Sequence, residues 1–160
     1  MYMYRNFDFA RGFAPSVVED LHLAEEYLYF LKDAHGCILK IGAAFEDLIV
    51  HHVSIKENIH FLFEARLCDY LNSLERKEIC PKNVIQAMKH IHRKRNLANH
   101  EGWGREYDAH VCLVQMHNIL GWSVRKYGLG VPTKYQQING ILEQDTDFRG
   151  MFESFLIPGI

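Results

Sequence analysis

The sequence predicts an all-α fold, an up-and-down bundle of about five helices. Three observations predict it. Apolar residues recur at three- and four-residue steps in five successive segments, which puts each set on one helix face. No segment alternates apolar and polar residues between hairpin turns, as a half-buried strand would. The intervals between the stripes are short, which favours antiparallel neighbours.

The first stripe, Val17, Leu21, Ala24, Leu28 and Leu31, predicts a helix over residues 15–30. Pro15 suits its start, because the missing N–H loses no bond there. Ile38, Ile41, Phe45 and Leu48 predict a second helix that begins after Asp33 as N-cap and reaches residue 53. Gly36 and Gly42 lower its propensity but permit close packing. Ile59, Phe63, Leu67, Tyr70 and Leu74 predict a third over 58–74. Val84, Met88 and Ile91 predict a fourth over 81–98, again opened by a proline. Leu113, Met116, Leu120 and Tyr127 predict a fifth over 106–127, stopped by Gly128.

The 160 residues suffice for one domain, read as residues 1–130, with 131–160 as a tail or the start of a linker. That tail holds either a short helix near 136–142 or the lead into another domain. Its apolar end, Phe155-Leu156-Ile157, fits docking on the bundle or continuation into a larger protein. The net charge of −2 excludes a polycation, so any nucleic-acid binding must come from a local basic patch. Cys37, Cys68, Cys80 and Cys112 show no C-x-x-C spacing and fit buried, reduced thiols. With no signal peptide and no apolar run near the roughly 20 residues that span a bilayer, a cytoplasmic protein without membrane contact is expected.

The fourth helix is where pattern and chemistry disagree. The next position on its stripe after Ile91 is Arg95, a guanidinium where a core residue belongs. A charge placed there needs a partner or a cavity. One solution is a cap on the bundle end, with Arg95 paired to a carboxylate such as Glu46 or Asp47. The other is a binding group. On a continuing helix His100 would sit about 140° round from Arg95. Asn99, Gly102 and Gly104 instead favour a turn that brings the imidazole back over the helix end. Lys89, His92, Arg93 and Lys94 belong to the densest basic stretch in the chain, which reads as a phosphate-binding surface or as a solvated helix face. Trp103 and Tyr107 would either stack on bases or anchor the loop.

Other chemistries find less support. His51/His52 and His90/His92 are spaced to point in different directions, so no metal site and no cofactor are expected. No phosphate-binding G-x-x-x-x-G-K-[S/T] loop and no G-x-S-x-G nucleophile elbow occurs.

Arg95-Asn96-Leu97-Ala98-Asn99-His100 resembles the R-[N/H/D]-x-x-x-H signature of the HEPN superfamily, whose members are helical bundles and often metal-independent endoribonucleases. Asn6-Phe7-Asp8-Phe9, Leu23-Ala24-Glu25-Glu26-Tyr27, Phe45-Glu46 and Trp122 look like its DUF4145 branch, found as the N-terminal helical domain of type I restriction endonuclease R subunits and in related defence proteins. The resemblance covers roughly residues 5–130. It implies that His100 is a general acid or base toward RNA, that Arg95 binds the scissile phosphate, and that Asn96 orients one of them. Products would carry a 2′,3′-cyclic phosphate, and two copies of the motif would meet in a homodimer. Three functions follow. The chain is an RNA-cleaving toxin or defence effector with an antitoxin partner, a non-catalytic module of a restriction assembly, or a dimerisation domain in which Arg95 and His100 only satisfy buried groups.

Overall fold

The computed structural model describes residues 5–136 apart from Gly102. Of the short helix expected near 136–142 only Gln136 is described, and the apolar end at 155–157 lies outside the described residues. Within them the chain is a helical bundle without a strand. Its five principal helices are α1 (Pro15–Tyr29), α2 (Ala34–Leu48), α3 (Leu67–Arg76), α4 (Lys82–Glu101) and α5 (Glu106–Tyr127). A 3₁₀ turn at Asp8–Ala10 precedes them.

Pro15 opens α1 as its first residue, and Val17, Leu21, Ala24 and Leu28 are fully buried. Leu31 was expected on that stripe, but α1 ends at Tyr29 and Leu31 lies exposed beyond it. Lys32 follows with φ +55°, a left-handed reversal that carries the chain back along α1. Asp33 then caps α2 by accepting from the Gly36 N–H at 2.8 Å. α2 runs on through a π turn at Ile49–Val53 and a helical turn at Ser54–Lys56.

The third predicted helix starts nine residues late, at Leu67 rather than near residue 58. Asn58 is left-handed, with φ +57°, which ends the preceding helix. The next helical start comes only where Asp69 accepts from the Arg66 backbone N–H at 2.8 Å. Ile59 is still buried, but Phe63 is stranded on the surface.

α5 is the axis of the fold. Every residue from Asp108 to Gly121 is buried, so it is enclosed on all sides rather than amphipathic. α2 and α4 pack against it, α1 packs on α2, and α3 on α4. Gly128, with φ +66°, ends α5 in the left-handed conformation that glycine adopts freely. All four cysteines are free thiols. Burial pushes Cys80 and Cys112 up to about 12, so these two are inert at neutral pH.

The N- and C-terminal flanks close over α1 and α5. Asn6 donates to Glu25 Oε2 (2.9 Å) and pairs with the backbone of Gln136, donating to its carbonyl (3.2 Å) and accepting from its N–H (2.7 Å). Tyr135 donates to the same Glu25 oxygen (3.4 Å) and meets the Tyr29 hydroxyl (3.1 Å), which lies 2.9 Å from His110 Nδ1. A chain of buried polar groups thus joins residues 130 positions apart.

Candidate functional site

α4 extends through Ala98, Asn99 and His100 to Glu101. The turn expected at Asn99 does not form, because the exit from α4 is stabilised one turn later. A helix leaves its last carbonyls without intrahelical partners. His35, at the start of α2, donates from Nε2 to the Ala98 carbonyl at 2.9 Å. Gly104 then lies against the His35 backbone, where a Cβ would come within 2.7 Å of its Cα. The reversal therefore falls after Glu101. His100 stays helical, about 140° round and about 7.5 Å along the axis from Arg95.

Arg95 is half-buried, and its guanidinium donates to Glu46 Oε2 on α2 at 2.5 Å. Its stem crosses Gly42, where a Cβ would sit 2.5 Å from the Arg95 Cγ. Of the two carboxylates proposed as caps, Glu46 is the partner. Asp47 instead accepts from Ser16 (2.6 Å) and faces His52. Because Glu46 is about half exposed, the pair is worth at most about 1 kcal/mol. The stem over Gly42 matters more. Arg95→Met is therefore expected to cost under about 1 kcal/mol of stability, and Arg95→Ala about 1–2 kcal/mol, through lost packing. Urea titration of both variants checks this; equal losses would assign the effect to the charge.

His92, one turn before Arg95, is the imidazole nearest to it in register. Burial and the Arg95 charge hold its pKa below the ordinary histidine value, with Glu46 opposing them. Asn96, Asn99 and His100 are exposed on the final turns.

The basic stretch is mostly neutralised. Lys89 donates to both oxygens of Glu75 (2.8 and 2.7 Å). Lys94 faces Asp108 (3.3 Å) and lies 4.6 Å over the Trp103 ring. Arg105 shares both partners, donating to Asp108 at 2.8 Å and lying 5.8 Å from the ring centroid. Trp103 thus anchors its loop between two cations. His90 bonds Gln115 at 2.6 Å. Among the four predicted phosphate-binding residues, Arg93 is exposed and makes no ion pair among the described residues.

Periodicity did not reveal the buried set of Glu25, Tyr29, His110 and Asn6. His110 lies on α5, which is buried all round, so its polar residues look like an exposed face. Glu25 and Tyr29 lie beside the α1 stripe and Asn6 precedes every helix, so burial of these three comes from the flanks that close over α1. Among the described residues, no group of three metal-ligating side chains converges. No helix among them is long and apolar enough to cross a membrane. Comparison with protein-family models, curated proteins and solved structures finds no significant match to this chain.

Proposed function

We propose that this chain is a HEPN-like protein acting on nucleic acid, with Arg95, Asn96 and His100 as its chemical centre. The supporting observation is the exposed end of α4, which carries a half-buried guanidinium and a solvent-facing imidazole within two turns. On one helix these two positions lie about 140° apart, which favours a phosphodiester shared between two copies. Cleavage of RNA would then use two copies, with Arg95 of one chain and His100 of the other across a homodimer contact at α4. His100 would exchange the proton of the 2′-hydroxyl or the leaving oxygen, and Arg95, released from Glu46, would neutralise the phosphate. No metal enters this scheme. The purified protein should cut single-stranded RNA in EDTA and leave a 2′,3′-cyclic phosphate. His100→Ala should slow cutting about 100-fold or more. Unchanged cutting by that variant would remove His100 from the chemistry.

A second reading is favoured by the Arg95–Glu46 pair itself. An arginine already satisfied by a carboxylate suits a non-catalytic binding or assembly module, such as the N-terminal domain of a restriction subunit. In that case wild type cuts no RNA, while Arg95→Ala weakens partner or nucleic-acid binding.

A further inference from the structure

A second place on the surface has the chemistry that the basic stretch of α4 lacks. Between the end of the α2 extension and α3, the chain forms a notch of about 360 Å³. Phe61 and Phe63 rim one side, with ring centroids 5.4 Å apart. Phe61 is anchored edge-on against Tyr70 at 4.9 Å, while Phe63 remains 62% exposed. Asn72 and Arg76 of α3, with Lys77 just after it, also line the notch. Asp69, Asn72, Ser73 and Arg76 share one face of α3 by spacing; Asp69 is occupied by the Arg66 N–H, which leaves Asn72 and Arg76 to a ligand. Lys89, Lys94 and Arg95 each hold a carboxylate, which leaves Arg93 alone unpaired among the cations of that stretch, whereas Arg76 and Lys77 are adjacent and neither makes an ion pair among the described residues.

We infer that this notch is a binding site for single-stranded nucleic acid. One unstacked base lies on the open face of Phe63, its edge meets Asn72, and the adjoining phosphates meet Arg76 and Lys77. Single strands are selected because a base within a duplex has no free face to offer the ring. The volume falls within the range of small-ligand pockets and suits one nucleotide. An exposed phenylalanine beside unpaired cations is complementary to a flat aromatic anion. Neither group is satisfied by the chain's own core. The inference rests on the nucleic-acid part of the function proposed above, but the site is separate from Arg95 and His100.

The test is fluorescence anisotropy of labelled oligouridine and oligothymidine with the full chain, at several salt concentrations. Phe63→Ala should weaken binding about 5- to 100-fold, and Phe63→Tyr should restore it. The double variant Arg76→Ala/Lys77→Ala should lower the slope of log affinity against log salt by about 1.4. Both sites are on the surface, so melting temperatures should stay near wild type. Gln86→Ala, exposed on α4 and outside both sites, should bind as wild type does. Comparing the two oligonucleotides shows whether the 2′-hydroxyl matters. Absence of binding by wild type overturns the inference. So does unchanged affinity in Phe63→Ala, which would leave the exposed ring to a protein partner. If notch variants bind normally while His100→Ala stops cleavage, the notch falls and the catalytic reading stands. If notch variants lose binding and wild type cuts no RNA, the reverse holds.

Discussion

Between pH 7 and pH 5 the folded state is expected to lose about 4 kcal/mol of stability, through two histidines that α5 buries. Burial, with the Lys32 charge adding to it, pushes His110 down to about 3. Burial pushes His117 down to about 4 against the opposing pull of the Thr133 backbone. In the unfolded chain both return to the ordinary value near 6.5. Below that pH the unfolded state takes up protons that the native state refuses, so acid favours unfolding. The stability is present above pH 6.5 and declines as pH falls toward 3–4. Each imidazole contributes about 2 kcal/mol over this interval. His52, His90 and His92 are also lowered by burial and act in the same direction. Urea midpoints at the two pH values test this. His117→Leu should remove about half of the difference whatever its own cost. Equal midpoints in wild type would mean that the two imidazoles become charged within the fold.

Phe7→Ala is expected to cost about 3–5 kcal/mol, as much as truncating a residue in the middle of a helix. Phe7 lies before the first long helix, yet it is fully buried. Its ring meets His117 edge-on at 5.9 Å and Tyr135 at 6.2 Å. Next to it, Asn6 joins Glu25 to the backbone of Gln136. Removing the ring opens a cavity at the point where both flanks meet α5, so Tyr135 loses a neighbour as well. Arg5→Ala, two residues away and exposed, should change stability by less than about 0.5 kcal/mol. Thermal melts of the two variants give the contrast. A small loss in Phe7→Ala would show that the N-terminal segment folds onto the bundle without contributing to it.

The helices that were legible are those whose signals are local. Pro15 and Asp33 mark starts by chemistry confined to one turn, and Gly128 marks an end in the same way. The third helix starts later than its stripe because Ile59 and Phe63 keep helical spacing across a stretch that is not helical. A hydrophobic pattern records which residues want burial, but not whether the backbone between them is regular. Asn58 and Asp69 decide that here. In the candidate site, the misfit of Arg95 on its stripe was visible, and so was Glu46 as a partner. The path of His100 was not. Asn99 and two glycines permit a turn, and His35, 63 residues earlier than the carbonyl it satisfies, determines where the turn falls.

By itself the sequence determined the helical class, the starts of α1 and α2, the end of α5, and the Arg95 anomaly on α4. These follow from propensity, capping and periodicity, which act over a few residues. Only the tertiary structure decided which charges are free, which histidines stay neutral, and which face of α4 is open. Those properties depend on distances between segments far apart in the chain. Glu75, Asp108 and Glu46 take up the cations of α4, and enclosure of α5 on every side holds its imidazoles uncharged.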